Sequence, residues 1–492
     1  MNRDAMLQQL QETAEWDIVI IGGGATGLGA ALDAATRGYK TLLIEAYDFG
    51  KGTSGRSTKL VHGGVRYLAQ GNIKLVMEAL RERGYLLKNA PHITSASPFI
   101  VPAYSWFDKF FYGIGLKVYD IMAGKLSLGK TRLLNKKETL QQLPGISEKK
   151  LKGGILYYDG QFDDARLAID LAITATKHGA TILNYCKANA LIKANGKIKG
   201  LVIEDTFIKK IYEVKAQVVI NATGVFTDAI MQMDEPENEM LVLPSQGIHL
   251  VIDKKFFPGT NALMIPKTED GRVLFAVPWH NKVVLGTTDT PIDIISFEPK
   301  PLEEEIEFVL HHANLYLSQN IQRTDVRSTF AGLRPLVKQK GAKSTALVSR
   351  DHTILVSKAN LVTITGGKWT TYRKMAEDVV NNAAFVSKLP KKECVTKNLA
   401  IGNNAIKKGA DFLKESYSYN EKDIAHFVQN EMAVTVEDVL SRRIRLLLLD
   451  AKAAIAAAPA VAKIMAKLMN KDAQWINEQV EQFTQLAKNY TL

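Results

Sequence analysis

Residues 17–45 constrain the fold of this chain more than any other stretch of its 492 residues. An apolar run leads into a glycine-rich turn, an alanine-rich segment follows, and a second apolar run ends at Glu45. This order of residue types predicts a strand, a tight turn, a helix and a second strand. Within the turn, Gly22, Gly24 and Gly27 have the G-x-G-x-x-G spacing of a dinucleotide-binding unit.

Each residue of this unit has a physical role in holding an ADP group. Gly22 allows the tight turn, Gly24 lets the backbone approach the pyrophosphate, and Gly27 lets helix and strand pack closely. The N-terminus of the helix favours the pyrophosphate because its N–H groups and dipole attract anions, and Glu45 accepts hydrogen bonds from a ribose. A glycine-rich turn without a ligand is the alternative, which the complete strand–turn–helix–strand context disfavours.

Two further strands end in small residues. Residues 216–224 form an apolar run that ends in Ala-Thr-Gly, and 361–373 form another that leads through Gly366 and Gly367 into a helix start. A helix N-terminus here would stabilise the negative charge that reduction places on a flavin ring. Each junction alone is equally consistent with an ordinary strand-to-loop transition. Together, units at the start, middle and end of one domain predict FAD held by a discontinuous domain rather than NAD.

Charge and cysteine content narrow the class of protein. There are 63 Lys and Arg residues against 51 Asp and Glu, a formal net charge of +12. This balance fits nucleic acid, anionic lipid or a phosphorylated substrate, and equally a protein that is merely basic. Cys186 and Cys394 are far apart and predict neither a disulfide framework nor a metal site. With no apolar signal core and no membrane-spanning stretch, we expect the cytoplasm or a membrane surface.

The segment after the first unit carries a family resemblance. Residues 53–68 read Thr-Ser-Gly-Arg-Ser-Thr-Lys-Leu-Val-His-Gly-Gly-Val-Arg-Tyr-Leu. They closely resemble the flavin-contacting motif of FAD-dependent glycerol-3-phosphate dehydrogenases, Ser-x-Lys-Leu-x-His-Gly-Gly-x-Arg-Tyr-Leu. The match continues at 163–167, 221–224, 286–290, 332–336, 349–352, 366–373 and 431–443. It departs between residues 400 and 430, where the chain is shorter than the family pattern.

The predicted fold class is an α/β FAD-binding domain with two additional domains. The first is Rossmann-like, of the glutathione-reductase/D-amino-acid-oxidase type; an antiparallel-sheet substrate domain and a C-terminal α-helical domain accompany it. The FAD-binding domain is assigned to 15–95, 150–240 and 340–385, the substrate- and membrane-facing domain to 96–149 and 241–339, and the helical domain to 395–492. Locally, the sequence predicts an irregular loop at Gly50–Gly71, a helix at Asp164–Lys177, a hairpin turn at Asn195-Gly196, and strands at 345–349, 353–357 and 361–364.

The glycine units and the resemblance together give the predicted cofactor contacts. They are Gly22, Gly24, Gly27, Glu45, Thr53, Ser54, Ser57, Lys59, Leu60, His62, Gly63, Gly64, Ala222, Thr223, Gly224, Gly366, Gly367, Lys368, Trp369 and Thr370. We expect noncovalent FAD, because neither cysteine falls in the flavin segments, and no metal.

The resemblance implies oxidation of sn-glycerol 3-phosphate to dihydroxyacetone phosphate, in which carbon 2 gives a hydride to the flavin and the hydroxyl loses its proton. The substrate-binding residues it implies are Arg66, Tyr67, Arg334, Arg350 and Lys368, and the catalytic residues are His62, His249, Arg334 and Lys368. An arginine suits a phosphate because its planar fork donates two parallel hydrogen bonds. Without the resemblance, each arginine is better explained by an ordinary ion pair.

The group that takes the hydroxyl proton has two candidates. Arginine is a poor base at pH 7, because its pKa exceeds about 12. A histidine titrates near working pH, so His62 and His249 are preferred, with Arg334 stabilising the developing alkoxide. For His249, which lies on a predicted strand, a hydrogen-bonded core histidine is the alternative.

Aromatic and basic residues are interleaved along 102–137. The rings and apolar residues are Trp106, Phe107, Phe110, Phe111, Tyr112, Ile114, Leu116, Val118 and Tyr119, and the cations are Lys109, Lys117, Lys125, Lys130, Arg132, Lys136 and Lys137. A core helix with a solvated basic face is one interpretation. The resemblance favours the other, in which the segment docks on the anionic inner face of the cell membrane and a quinone reoxidises the flavin.

Three other functions remain open from the sequence. An oxygen-linked glycerophosphate oxidase of the same family is the nearest, although the additional insertion usual in those chains is not evident. A basic RNA-binding flavoprotein is permitted by the charge, but no RNA-binding motif is found and no nucleic acid is expected. A non-catalytic membrane adaptor would bind FAD without turnover. A homodimer is neither required nor excluded.

Overall fold

A computed structural model describes residues 1–65, 68, 71–268, 271–338, 351–402 and 419–492. Its strands are β1 Trp16–Ile21, β2 Thr41–Ile44, β3 Leu60–Val61, β4 Thr94–Ala103, β5 Arg132–Asn135, β6 Gly153–Phe162, β7 Thr181–Leu183, β8 Cys186–Ala194, β9 Lys197–Asp205, β10 Ile211–Asn221, β11 Val242–Asp253, β12 Ala262–Ile265, β13 Leu274–Trp279, β14 Lys282–Gly286, β15 Thr290–Pro291, β16 Val326–Val337, β17 His352–Val356 and β18 Leu361–Gly366. Its helices are α1 Arg3–Glu12, α2 Ala25–Thr36, α3 Ile73–Asn89, α4 Trp106–Ala123, α5 Lys136–Gln142, α6 Asp164–Lys177, α7 Thr227–Asp234, α8 Glu303–Tyr316, α9 Tyr372–Ser387, α10 Glu421–Asn430, α11 Leu446–Leu449, α12 Ala451–Met469 and α13 Ala473–Ala487.

The first sheet carries the glycine units. Its order is β17-β18-β10-β1-β2-β7, and the hairpin β8–β9 pairs onto β10. From β18 to β7 the strands are parallel. Runs of Val, Ile and Leu in β1, β2 and β10 are buried, as expected for the centre of a parallel sheet. Because the carboxyl ends of parallel strands meet at one edge, the three glycine units converge there.

The second sheet is built around a long antiparallel pair. Its order is β15-β11-β14-β13-β12-β4-β6-β3, with β16 also paired to β11 and β5 to β6. In the pairing of β11 with β16, Ser245 lies opposite Arg334 and His249 opposite Phe330. The antiparallel prediction holds for most of these strands, but β12 runs parallel to β4. The pairing of β11 with β16 brings residues that are about 80 to 90 positions apart in the sequence onto one sheet.

Several local predictions can be compared directly with the structure. The helix Asp164–Lys177 is confirmed, and the hairpin turn is confirmed by positive φ at Asn195 and Gly196. The prediction of an irregular loop at Gly50–Gly71 was wrong in part. A 3-10 turn covers Thr53–Arg56, and Leu60–Val61 forms a strand, because these two residues pair with Gln161 and Gly160 of β6.

Two further predictions concern the strands at 345–364 and the domain boundaries. The predicted strand at 345–349 lies outside the described residues, whereas the next two are present as β17 and β18, which are antiparallel to each other. The domain boundaries stay a proposal. That proposal assigns Gly153–Phe162 to the FAD-binding domain, whereas the strand it forms, β6, pairs with β3, β4 and β5 of the second sheet.

The C-terminal segment, defined here as residues 419–492, is helical. It contains α10 to α13 and a π-helical turn at Asp438–Arg443. Its apolar core, which includes Leu447 and Val461, also packs against Phe330 and Trp279 of the second sheet. No helix in the described parts of the chain is long and apolar enough to cross a bilayer.

Candidate active site and cofactor cavity

The first glycine turn has the close contacts that its motif requires. Gly22 has φ of 113°, and a Cβ there would lie 2.6 Å from the carbonyl oxygen of Ala222. A Cβ at Gly27 would collide with the carbonyl oxygen of Gly22. Helix α2 begins directly after Gly24, which has no side chain to cap it, and the N–H of Ala25 donates to Ser54 Oγ at 2.9 Å. The dipole of this helix N-terminus favours an anion beside it.

Glu45 ends β2 beside this turn. Its carboxylate accepts hydrogen bonds from the backbone N–H groups of Gly23 at 2.6 Å and Tyr47 at 2.9 Å. Burial raises the pKa of Glu45 above its ordinary value. Each carboxylate oxygen has a second lone pair, so both can still accept from ribose hydroxyls.

Two cavities meet in front of the turn. One, of about 780 Å³, extends from Gly22, Gly24 and Glu45. The other, of about 630 Å³, extends over the second sheet. The residues that line both are Thr53, Pro335, Gly366, Gly367, Lys368 and Trp369. The two cavities therefore adjoin along these residues, and together they extend from the first glycine turn to the second sheet.

The third glycine unit forms the boundary between the cavities. Gly366 and Gly367 have φ of 82° and 75°, the left-handed region that favours glycine. The turn Trp369–Thr371 follows and leads into α9. Trp369 Nε1 donates to the carbonyl oxygen of Ser54 at 2.8 Å, so the third unit is joined to the segment that begins at Thr53.

The predicted contacts at 53–64 fall into two groups. Thr53, Ser57, Leu60, His62 and Gly64 line the 630 Å³ cavity, and Ser54 lines the 780 Å³ cavity. Lys59 and Gly63 do not line either cavity. Lys59 is fully buried in an ion pair with Asp164, Nζ to Oδ2 2.7 Å, and the N–H of Gly63 donates to Tyr119 at 2.8 Å. The cofactor contacts predicted for these two residues stay predictions.

Both histidine candidates lie on the 630 Å³ cavity. His249 is buried on β11, with Nε2 2.9 Å from Thr58 Oγ1 and its ring stacked on Phe330. Burial, with the nearby charges of Lys59 and Arg334, lowers the pKa of His249 well below its ordinary value. The imidazole is therefore neutral at pH 7.

Arg334 is held across the same cavity. Its Nη2 donates to Thr287 Oγ1 at 3.0 Å and to the carbonyl oxygen of Thr288 at 2.9 Å, and its Nη1 lies 3.3 Å from Asp289 Oδ1. A Cβ at Gly247 would collide with the guanidinium. Sequence reasoning missed Gly247; its signal is a glycine two residues before His249 on the same face of a strand.

Other predicted and unpredicted residues complete the site. Lys368 lines both cavities, whereas Arg66, Tyr67 and Arg350 lie outside the described residues. Arg56 was not singled out from the sequence. It lines the 630 Å³ cavity and forms an ion pair with Glu298 at 2.7 Å.

The middle glycine unit lies on the larger cavity. Ala222, Thr223 and Gly224 line the 780 Å³ cavity, opposite Glu45. Thr370 lines the smaller cavity, where its hydroxyl accepts from the N–H of His62 at 3.2 Å. Within the described residues no cluster of three or more His, Cys, Asp or Glu is placed to hold a metal.

The sheet order, the glycine turn before α2 and the adjoining cavities are those of an FAD-dependent oxidoreductase of the D-amino-acid-oxidase type. Residues 17–373 match the FAD dependent oxidoreductase family, and 363–476 match the C-terminal domain of alpha-glycerophosphate oxidase. Human mitochondrial glycerol-3-phosphate dehydrogenase is 38% identical over 98% of this chain and 74% of its own length. A mitochondrial glycerol-3-phosphate dehydrogenase of Arabidopsis thaliana is 44% identical over 78% of this chain and 63% of its own.

A solved structure agrees with these sequence matches. The glycerol-3-phosphate dehydrogenase of Bacillus halodurans, complexed with FAD, superposes with a TM-score of 0.81 at 29% identity, over 99% of this chain and 97% of its own. This chain belongs to the family of FAD-dependent glycerol-3-phosphate dehydrogenases, and its cofactor is FAD. The predictions of family, fold class and cofactor are confirmed.

Proposed function

We propose that the protein oxidises sn-glycerol 3-phosphate to dihydroxyacetone phosphate and passes the electrons to a membrane quinone. The observation that carries this proposal is one cavity in which Arg334, Lys368 and neutral His249 meet beside the third glycine turn. A phosphorylated alcohol needs a cation for its phosphate and a base for its hydroxyl. Both kinds of group line this cavity, and the names of the relatives point to the same substrate.

The cations of the cavity have distinct surroundings. Arg334 is oriented by Thr287 and Thr288 and pairs with Asp289 at 3.3 Å, and we assign it to a substrate phosphate or to a developing alkoxide. Lys368 lies at the boundary of the two cavities, where the reacting hydroxyl would meet the flavin. Arg66, Tyr67 and Arg350 keep their proposed substrate-binding roles on the family resemblance alone.

His249 is the group we assign to the proton. FAD, when bound, supplies the two-electron acceptor for the hydrogen that leaves carbon 2. His249 takes the hydroxyl proton, because its imidazole is kept neutral and its Nδ1 has no hydrogen-bond partner among the described residues. His62, on the same cavity, is the second candidate. As the carbonyl forms, Arg334 stabilises the charge that develops on oxygen.

Anaerobic bleaching tests the substrate. Glycerol 3-phosphate is expected to bleach the bound flavin, whereas glycerol and other phosphorylated polyols are not. Arg334→Lys should raise the substrate concentration for half-bleaching by at least about ten-fold, because a lysine lacks the fork. Arg327→Lys, on the same strand but paired with Asp253 at the surface, is the matched control. Flavin that stays yellow with glycerol 3-phosphate contradicts the proposal.

Helix α4 supports docking on a membrane surface. Its exposed apolar residues form one stripe along the whole helix: Trp106, Phe107, Phe110, Phe111, Ile114, Val118 and Ile121. The opposite side of the helix, with Leu116 and Tyr119, is buried against the protein. A stripe at helical spacing over 18 residues fits a helix lying flat in the headgroup region.

The charges near α4 fit an anionic lipid surface. Lys117 is exposed on the helix itself, and Lys125, Lys130 and Arg132 are exposed just beyond it. Each such cation adds about 1 kcal/mol of attraction to anionic headgroups. We therefore propose a peripheral location on the inner face of the cell membrane.

The active-site cavity also has an apolar end that supports a quinone acceptor. Leu60, Phe99, Met264 and Phe275 line this end of the cavity. They belong to the same apolar cluster as Leu116 of α4. A lipid-soluble acceptor that enters from the docked face would meet apolar side chains on this side of the cavity.

Oxygen is the alternative acceptor. The match of residues 363–476 to the C-terminal domain of alpha-glycerophosphate oxidase supports oxygen as a candidate acceptor. Stoichiometric peroxide from glycerol 3-phosphate in air, with no reduction of a short-chain quinone, would establish an oxidase. Quinone reduction with little peroxide would establish a dehydrogenase.

A further inference from the structure

The cavity that holds the ADP end of the cofactor has a wall from the C-terminal segment. The residues of this wall are Thr435, Glu437, Gln479, Gln482, Phe483 and Leu486. The same cavity is lined by Glu45, Ala46 and Tyr47, which follow β2, and by Tyr185–Ala188. The C-terminal segment is thus part of the space that receives adenosine, although it lies more than 200 residues from either loop.

Buried charges tie the first of these loops to the C-terminal segment. Asp48, three residues after Glu45, is fully buried and accepts from Arg442 Nε at 2.5 Å and from Arg443 Nη2 at 3.1 Å. Burial alone would raise the pKa of Asp48, but the two guanidinium groups outweigh it and lower that pKa. Lys51, at the end of the same loop, pairs with Glu437 at 2.7 Å.

The second loop is tied to the same place. Tyr185 OH donates to Asp438 Oδ1 at 2.6 Å, and the next residues along the chain, Cys186–Ala188, line the cavity. Arg442 also pairs with Asp438, at 2.7 Å. Both loops are therefore anchored at the π-helical turn Asp438–Arg443, a rare conformation that occurs often at functional sites.

We propose that the C-terminal segment is a component of the FAD site, which walls the adenosine end and positions the loops Glu45–Lys51 and Tyr185–Ala188. Cofactor binding and docking of this segment then strengthen each other, because coupling between two binding events is reciprocal. The inference goes beyond the proposed reaction and does not depend on it, since it concerns cofactor binding alone.

The first test removes one hydroxyl. Tyr185→Phe keeps the ring on the cavity and removes only the hydroxyl, with its hydrogen bond to Asp438 and its 3.3 Å contact with Thr435 Oγ1, both in the C-terminal segment. The matched control is Ser328→Ala, because Ser328 Oγ donates to the carbonyl oxygen of Leu447 at 2.7 Å and so also ties a strand to the C-terminal segment, away from the cavity. FAD titration of each apoprotein should show about five-fold weaker binding for Tyr185→Phe and no change for Ser328→Ala.

A second pair of variants keeps the test decisive if the first fails to fold. Lys51→Met removes the contact with Glu437, and Lys282→Met removes a similarly buried lysine that lies near Asp450 of the same segment. Lys51→Met should weaken binding of FAD and of ADP alone, and should abolish the protection that FAD gives the C-terminal segment against trypsin. Lys282→Met should bind FAD and ADP like the wild type and should keep the protection against trypsin.

Two results would overturn the proposal. One is equal FAD affinity in wild type, Tyr185→Phe and Lys51→Met. The other is an equal loss of affinity in the two control variants, which would show only general destabilisation of the fold. Neither readout uses glycerol 3-phosphate, so failure here is distinguishable from failure of the proposed reaction.

Discussion

Replacing three rings of α4 tests the membrane-docking proposal most directly. Trp106, Phe110 and Phe111 expose 60%, 59% and 56% of their surfaces in the stripe. The triple variant Trp106→Ser, Phe110→Ser and Phe111→Ser leaves the buried side of the helix intact. We expect normal folding and flavin content, with much weaker binding to vesicles.

The exposed areas set the size of the effect. With about 200 Å² for each aromatic side chain, the three rings expose roughly 350 Å². Full burial at about 25 cal/mol per Å² would be worth about 9 kcal/mol. Because an interfacial helix buries only one side of each ring in lipid, we expect the three rings to contribute about half of this free energy, or roughly 4 kcal/mol. The triple variant loses this contribution, which lowers its partition coefficient into vesicles on the order of 1000-fold.

Sedimentation with vesicles of mixed anionic and zwitterionic lipid measures this coefficient. Phe385, which is 84% exposed at the end of α9, gives the control variant Phe385→Ser. That control should partition like the wild type, and raised salt should weaken binding of both. A triple variant that sediments as strongly as the control, at low and at high salt, would refute docking through α4.

Three further predictions concern the interior. His249→Gln should lower kcat/KM by about 100-fold or more. Because the pKa of His249 is lowered, the acidic limb in the pH profile of wild-type kcat/KM should lie below pH 6.5, and the variant should lack this limb. An acidic limb that persists in the variant would assign the base to His62. Gly27→Ala should yield protein with little bound flavin, measured by the absorbance ratio after purification, because its Cβ meets Gly22; full flavin content would contradict the packing argument. Asp164→Asn should destabilise the protein by about 3–5 kcal/mol in urea unfolding, because it leaves the Lys59 charge buried without its carboxylate, and an unchanged midpoint would contradict this role.

The features that sequence predicted well are local. The turn at Gly22–Gly27, the helix Asp164–Lys177 and the hairpin at Asn195 each depend on residues close together in the chain. Spacing and turn chemistry are sufficient in such cases, because a two-residue hairpin or a strand–turn–helix unit is specified by its own residues.

The features that sequence missed depend on distant pairing. The lysine of the family motif, Lys59, is paired with Asp164, 105 positions further along, and is fully buried. The strand Leu60–Val61 forms because β6 lies beside it. The wall from the C-terminal segment comes from elements that follow β2 by almost 400 residues. No periodicity within either partner encodes such contacts.

Strand β11 gives this site an unusual sensitivity to chain length. Gly247, which leaves space for Arg334, and His249 are two residues apart and therefore face the same side of the sheet. One inserted or deleted residue before Gly247 would turn both away from the cavity at once. A redesign of the site for a larger or smaller substrate should therefore exchange side chains around this strand and leave the number of residues in β11 unchanged.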